Sequence, residues 1–496
     1  MTQSSIFDNL IIFEMANNHQ GSLQHGLNII RELARVVEKH KIHAAVKFQY
    51  RDLDTIIHPD YFDRKDVKNI PRFLSTRLAA SDFYRMVQEA KKLNLVTICT
   101  PFDEQSVDLI ISHNIDIIKV ASCSSLDWPL LEKIAMANKP TIISTGAKSF
   151  VEIDKIYNFF EHRHINFALL HCVGLYPVHD TDVQLNAMKR MIRRYPNIRI
   201  GYSGHEDPKD MSICKMAIAC GATILERHVG MRTDTISLNA YSTDVREIED
   251  WIIAILSART ICGGKDKVIT EEERASMNAL ARGTYAARDI RKGETIRKSD
   301  IFFAIPVQEG QLTSGQFREG AIASKDYSFK SPIFEPPIRT QLDHTREIIH
   351  AVKGLLAESG VVVSHEHELE LSHHYGIELF REWGATIANI INREYCKKII
   401  IMLPGQKHPV HYHKSKEESF QILSGILTLT LDGVTKDLYP GDLVTVKRNS
   451  PHAFSSDTGC VFEEISTTHI KNDSYYEDPS IMSIDIIKRK TKVELW

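Results

Sequence analysis

Eight short apolar runs in the first half of the chain each end on a polar residue of the kind that does chemistry. They are residues 10–16 with Glu14, 44–50 with Lys47 and Gln49, 96–102 with Thr100, and 117–122 with Lys119 and Ser122. Residues 141–146 with Ser144, 166–173 with His171, 198–204 with Ser203 (His205 just beyond) and 223–230 with Glu226 and His228 complete the set. Stretches of helical period, such as 27–38 and 83–92, separate most of them. A strand–helix unit repeated eight times closes into a (β/α)8 TIM barrel, with its active site at the carboxyl ends of the strands. The polar residues are therefore expected to meet at one mouth, as in an enzyme.

At 496 residues the chain exceeds one hydrophobic core, so two to four domains are expected. A formal charge of −3 gives no electrostatic case for nucleic acid or a membrane surface. The first eight residues hold no basic region leading into an apolar core, so no secretory signal is expected. No apolar run approaches the roughly 20 residues that span a bilayer. The eight cysteines stand singly, without CxxC pairs, and several fall in expected strands as small apolar side chains. A reduced, cytoplasmic protein is the expectation.

The barrel is expected over residues 1–264, its last helix at 245–262 stopped by Gly263-Gly264. A polar stretch, 265–282, reads as a linker. Residues 283–340 change to short β-type segments and form a small appended domain, closed by Pro336-Pro337. A third domain, 345–496, opens with a helical connector at 345–358 and is β-rich from Lys397 onward. Strands are expected at 398–403, 420–423, 427–431, 443–446 and 461–465, with turns at Asp432-Gly433 and Pro440-Gly441-Asp442. That spacing argues for an antiparallel jelly roll. His365, His367, His373 and His374 lie in a connector-like segment and read as surface or interface.

His205 and His228 end neighbouring strands, where neutral imidazoles can hold one divalent ion with open positions for substrate. Lys47, Lys119, Thr100, Ser122, Ser144 and Ser203 reach the same mouth. Two cations with several hydroxyls suit a small substrate bearing phosphate and carboxylate.

Glu14-Met-Ala-Asn-Asn-His-Gln-Gly21, Val46-Lys-Phe-Gln49, Thr100-Pro-Phe-Asp103 and Lys119-Val-Ala-Ser122 resemble the sialic acid synthase (N-acetylneuraminate synthase) family. So do Lys139-Pro-Thr-Ile-Ile-Ser-Thr-Gly146, Leu170-His-Cys172 with Tyr176-Pro177, Gly201-Tyr-Ser-Gly-His205 and Glu226-Arg-His228, all in collinear order. The appended domain resembles the antifreeze-like domain that follows the barrel in that family. The resemblance implies condensation of phosphoenolpyruvate with an open-chain aldose to a 3-deoxy-2-ulosonic acid and phosphate. It implies a manganese-type ion on His205 and His228. Phosphoenolpyruvate would lie on Lys47, Thr100, Lys119, Ser122, Ser144 and Ser203, with Glu14, Gln49 and Tyr176 facing the sugar. It also implies a homodimer in which the small domain covers the partner's barrel. The chain departs from the family on the sugar side. Thr235-Ile-Ser-Leu-Asn-Ala-Tyr-Ser242 replaces a Pro-Gly-Pro-Asp-His stretch, Gly174 an Asn or Ser, and Ala304-Ile305-Pro306 a Lys-Arg-Pro step. An acceptor other than N-acetylmannosamine or its 6-phosphate is expected.

Gly405-Gln-Lys-His-Pro-Val-His-Tyr-His-Lys-Ser-Lys-Glu-Glu-Ser-Phe-Gln-Ile-Leu-Ser-Gly425 matches the first cupin motif, and Pro440-Gly-Asp442 with His452 the second. His411 and His413 share a strand face by period two. With Glu418 and His452 they form a three-histidine, one-carboxylate set for a divalent metal. The arrangement with Lys416 also resembles lyxose isomerase-type cupins, implying an aldose–ketose interconversion with Lys416 as a catalytic residue. Of Glu463 and Glu464, only one can face the interior. The competing expectation is a metal-dependent aldolase barrel with a cupin that only senses sugar.

Overall fold

The computed structural model describes residues 5–496; residues 1–4, where the N-terminal stretch begins, lie outside the described residues. The chain divides into two compact units, one ending at Lys267 and one running from Val268 to Trp496.

In the first unit each apolar run forms a strand: β1 Ile11–Glu14, β2 Ala44–Tyr50, β3 Val96–Pro101, β4 Ile117–Val120, β5 Thr141–Ser144, β6 Phe167–Cys172, β7 Arg199–Gly204 and β8 Ile224–Gly230. All pair in parallel in chain order, and β1 pairs with β8 to close the barrel. Successive side chains point to opposite faces. One face places Ile12, Ala45, Ile98, Ile117, Ile142, Ala168, Leu170 and Ile224 in an interior plug, with Phe7 packed against it. The other face, including Phe13, Val46, Val120 and Leu169, packs on helix residues such as Leu33, Ile134 and Ile156. Two residues beyond the plug, the same inward face carries Glu14, Lys47, Thr100, Lys119, Ser144, Cys172, Ser203 and Glu226. His171 lies on the outward face, where its Nε2 is 2.7 Å from the Val183 carbonyl oxygen. The TIM barrel is thus dry at the bottom and polar at the mouth.

Residues 265–282, where the sequence suggests a linker, hold a helix at Glu271–Leu280. The Thr270 side chain accepts from Glu273 N, and Glu271, Glu272 and Glu273 fill the first turn, where the helix dipole favours carboxylates. None of its residues is buried, so it has no apolar stripe by which the sequence could reveal it.

Farther along, Gly283–Ala286 pairs with Ile301–Ala304 and Thr295–Ile296 with Ala321–Ile322, around a core that includes Ile290, Leu312, Phe317 and Ile333. The cupin follows as two antiparallel sheets of seven and five strands. The larger sheet is buried on both faces. Ile399 and Ile401 pack towards Ile348 and Val352 of the helix Gln341–Ser359, while Ile400 and Met402 join Phe420, Leu429 and Phe454 between the sheets. Asp432 and Gly433, both at positive φ (49° and 81°), turn the hairpin between Leu427–Leu431 and Val434–Leu438. Strands also occupy the segment read as a connector: Leu369–His373 pairs with Gly384–Asn392 and with Lys490–Val493.

Gly201 on β7 has no room for a side chain, because a Cβ there would lie 2.4 Å from the Ile224 carbonyl oxygen and 2.7 Å from Leu170 Cδ2. Gly201→Ala is expected to lower the unfolding free energy by about 1–3 kcal/mol in a urea melt. Gly264→Ala, with nothing within 4 Å of its Cβ, should change it by no more than about 0.5 kcal/mol.

Candidate functional site

Glu226 is the hub of the barrel mouth. Its Oε2 lies 2.8 Å from Lys47 Nζ and its Oε1 lies 3.9 Å from Lys119 Nζ, while Ser203 Oγ donates to Oε1 at 2.8 Å. Lys47 Nζ also lies 2.6 Å from Glu14 Oε2, which accepts from Gln49 Nε2 at 3.3 Å. Glu14 Oε1 accepts from Ala16 N at 2.7 Å. Lys119 Nζ donates to Ser144 Oγ at 2.5 Å, and Ser122 Oγ accepts from Gly146 N at 2.9 Å. Thr100 is buried on the same inward face of β3. The barrel residues singled out from the sequence therefore gather at one end of the barrel, with Tyr176 at its exposed rim, except His171, which strand alternation turns outward to the Val183 carbonyl.

Burial shapes the charges. It pulls Lys119 down to about 8, against the attraction of Glu226 and helped by the like charge of Lys47. Burial acts on Lys47 in the same direction, but Glu14 and Glu226 outweigh it and hold that ammonium above its usual range. Glu226 would be raised by burial, yet Lys119 and Lys47 pull its carboxyl well below normal.

His205 and His228 stand side by side, ring centroids 5.3 Å apart. Tyr176 lies 4.1 Å from His205, and Tyr241 5.1 Å from His228. Burial lowers both imidazole pKa values, and for His228 the neighbouring His205 and Lys47 add to it. His205 Nδ1 is 3.0 Å from the Val173 carbonyl, which can only accept, so Nδ1 carries the proton and Nε2 is left with a lone pair. Two neutral imidazoles of this kind fit a divalent ion that takes its other ligands from substrate and water.

Sequence reasoning gave Glu226 no role, although its place two residues before His228 puts both on one face of β8. It also passed over Arg51, whose Nη2 donates to Gln49 Oε1 at 2.6 Å, and Tyr241 beside the imidazoles.

In the cupin, one ligand atom each from His411, His413, Glu418 and His452 falls within 4.8 Å of all the others. Among the described residues this is the one cluster of three or more such groups. His411 and His452 face each other across paired strands. The Nδ1 atoms of His411, His413 and His452 donate to the carbonyls of Pro409, Asp473 and Ser450 at 3.1, 2.7 and 3.1 Å. All three imidazoles are thereby held with Nε2 unprotonated and turned inward. His452 Nε2 is buried without a hydrogen-bond partner, although it lies 2.9 Å from Glu418 Oε1. Burial lowers the pKa of His411 and His413 as well. An orphaned ring nitrogen among converging lone pairs is the donor set a divalent metal requires.

Lys416 is buried. Its ammonium touches Glu418 and lies 2.9 Å from Glu464 Oε1, which Lys398 approaches at 3.4 Å. Glu464 is thus the inward-facing member of its pair, and Glu463 turns to Lys397. His373 and His374 are also buried, which corrects the surface reading. His373 Nε2 is 3.0 Å from Thr491 Oγ1, and His374 Nε2 is 3.1 Å from His408 Nε2. Their strand packs inside the larger sheet because Lys490–Val493 returns to pair beside it, a partner far away in sequence. His365 is exposed as expected.

Residues 35–267 match the NeuB family, and residues 398–464 match the cupin domain. The chain is 28% identical to N-acetylneuraminate-9-phosphate synthase of Drosophila melanogaster, covering 62% of this chain and 89% of that protein. It is also 28% identical to N,N'-diacetyllegionaminic acid synthase of Legionella pneumophila, covering 60% and 85%. A solved structure of a spore coat polysaccharide biosynthesis protein E from Chromobacterium violaceum is 41% identical, covers 65% of this chain and 97% of its own, and superposes with a TM-score of 0.63. No helix among the described residues is long and apolar enough to cross a membrane.

The cupin cluster is expected to take up one divalent ion per chain, read by elemental analysis after dialysis against manganese or zinc. His411→Ala and His452→Ala should each weaken that uptake at least roughly tenfold. Uptake unchanged in both variants would show that these side chains are not its ligands.

Proposed function

The chain belongs to the NeuB family, and on that premise we propose that its barrel condenses phosphoenolpyruvate with an open-chain aldose, yielding a 3-deoxy-2-ulosonic acid of the nonulosonic type and inorganic phosphate. The observation that supports this most is the pair of buried lysines among hydroxyls, one layer below two neutral imidazoles. The phosphate and carboxylate of phosphoenolpyruvate are held by Lys47, Thr100, Lys119, Ser122, Ser144 and Ser203. Glu14, Gln49 and Tyr176 orient the aldose. A divalent ion on His205 and His228 would polarise the aldehyde as a Lewis acid. The methylene carbon of phosphoenolpyruvate forms the new bond to the aldehyde carbon. Water adds at the former enol carbon, and cleavage of the carbon–oxygen bond frees phosphate. Glu14, beside Lys47, holds the proton that the water gives up. An aldolase acting on pyruvate would leave the lysine–serine set without a phosphate to bind.

The proposal extends to the rest of the chain. The cupin, with Lys416 and Glu464 next to its metal-binding donors, isomerises or epimerises a sugar and so supplies the aldose. Fusion raises the effective concentration of that aldose at the barrel. Residues 283–340 act as the antifreeze-like domain of a homodimer, and the eight free cysteines suit a reducing cytoplasm.

Phosphate release from phosphoenolpyruvate with manganese, across a panel of aldoses and matching ketoses, tests both parts. Release with one aldose is expected; silence across the panel would sink the condensation. The matching ketose should also work, and should stop working in His411→Ala while the aldose still does. Ketose turnover that survives in His411→Ala would remove the cupin from the reaction.

Lys119 adds a pH signature. In the empty site it sheds its proton near pH 8, whereas a bound phosphate dianion favours the ammonium and raises that value. Binding therefore takes up a proton above about pH 8, and phosphoenolpyruvate affinity should fall as pH rises through 8, by up to about tenfold per unit. Titration calorimetry should show the inflection in the wild type and lose it in Lys119→Gln. An affinity flat from pH 7 to 9.5 would contradict the assignment.

A further inference from the structure

The inward face of β2 does not stop at Gln49. Ala45 belongs to the plug, Lys47 to the charged layer, and Gln49 reaches Glu14 above it. Arg51, two residues further, is the next side chain in that series. Its guanidinium is clamped between Phe102 and Phe73, 3.8 and 4.2 Å from the ring centroids, and donates to Gln49 Oε1 at 2.6 Å. Arg72, next to the clamping Phe73 on the helix Ile70–Ser75, donates to Asn18 Oδ1 at 3.3 Å. Asn18 in turn donates to Ser242 Oγ at 3.1 Å, and so joins the segment that carries Tyr241.

Neither arginine has an ion-pair partner among the described residues. The nearby carboxylates are engaged elsewhere. Asp103 accepts from the amides of Asp52 and Ser106, and Asp52 accepts from Thr55 Oγ1. Glu14 and Glu226 answer the two lysines. A half-buried guanidinium held rigid by two rings, with most of its donors unused, is a poor structural element and a good anion receptor. Burial pulls its pKa down to about 10, outweighing the attraction of Glu14 and Asp103, neither of which forms an ion pair with it.

We propose that the acceptor aldose carries an anionic group, a phosphate or a carboxylate, at the end remote from its aldehyde, and that Arg51, assisted by Arg72, holds it. The inference rests on the condensation reading. An aldehyde at the His205–His228 end of the mouth sends the rest of the open chain past Gln49, and the outermost layer is where its far end arrives. The planar fork of a guanidinium suits either anion with two parallel hydrogen bonds.

The test compares acceptor kcat/KM, by phosphate release, for a neutral aldose, its terminal phosphate and the corresponding uronate. The wild type should prefer one anionic form by roughly 10–100-fold, the range of a charged hydrogen-bonded contact. In Arg51→Gln the preference should collapse through KM for the acceptor, with KM for phosphoenolpyruvate little moved. Arg51→Lys should keep part of the preference, since it retains charge without the fork. Arg72→Gln, at an exposed position, should lose several-fold and serves if Arg51→Gln does not fold. A wild type that favours the neutral aldose would overturn the inference while leaving the condensation standing. So would a rise in KM for phosphoenolpyruvate in Arg51→Gln, or an equal loss on neutral and anionic acceptors, which a purely structural clamp predicts. No phosphate from any acceptor would overturn the condensation reading and this inference with it.

Discussion

A carboxylate buried between two ammonium groups organises the barrel. Lys47 and Lys119 point inward above a dry plug, where an unpaired ammonium could not stay charged. Glu226 meets both and also receives Ser203, so residues from β2, β4, β7 and β8 are tied to one acceptor. The pairing costs about as much desolvation as it returns in attraction, so it contributes little to stability by itself. What it does is hold the two cations close together with the charge nearly balanced. For the condensation proposed above, the donors to a phosphate would already be in place, which is the preorganisation that catalysis of charged reactions needs.

The cupin reaches preorganisation by another route. Three backbone carbonyls fix the tautomer of three histidines, and the irregular pairing of Gln406–Tyr412 with His452–Ser456 sets His408 and His411 both on the inner face. A bulge that re-aims side chains beside a site is a recurrent device of β-sheets. The ring nitrogens then converge on one point, and burial holds His411 and His413 below the usual imidazole range.

Much of this was readable from the residues because each visible signal has a short physical range. Strand alternation acts over two residues, so the inward series Ile12–Glu14, Ala45–Lys47 and Ile117–Lys119 could be followed by eye, and with it the barrel and most of its mouth. The cupin ligands were legible for the same reason, since His411, His413 and Glu418 lie within one hairpin's reach. What escaped depends on partners distant in sequence. His373 meets Thr491 on a C-terminal strand that returns beside Leu369–His373, His374 packs against His408 and Tyr476, and Lys416 meets Glu464 on another strand. Glu226 is legible as a polar residue at the mouth, but its part as the common partner of two lysines depends on β2 and β4. The helix Glu271–Leu280 left no trace in hydrophobic period because it buries nothing, and its capping threonine is a weaker signal than a missing apolar stripe.

The two centres share a composition whose consequences run in opposite directions. The barrel holds Lys47 and Lys119 against Glu14 and Glu226; the cupin holds Lys398 and Lys416 against Glu418 and Glu464. Each set is close to neutral as it stands. An anionic ligand entering the barrel adds negative charge where the lysines already have carboxylates, so it must compete for them or find further cations. Arg51 and Arg72 are cations without such partners among the described residues. A divalent ion held by the cupin cluster would add positive charge and draw on Glu418, which Lys416 touches. Lys416 would then be left with Glu464, at 2.9 Å on its other side. Glu464 would therefore be the carboxylate that balances Lys416 beside a bound cation, and it is buried within 3.4 Å of a second ammonium, that of Lys398.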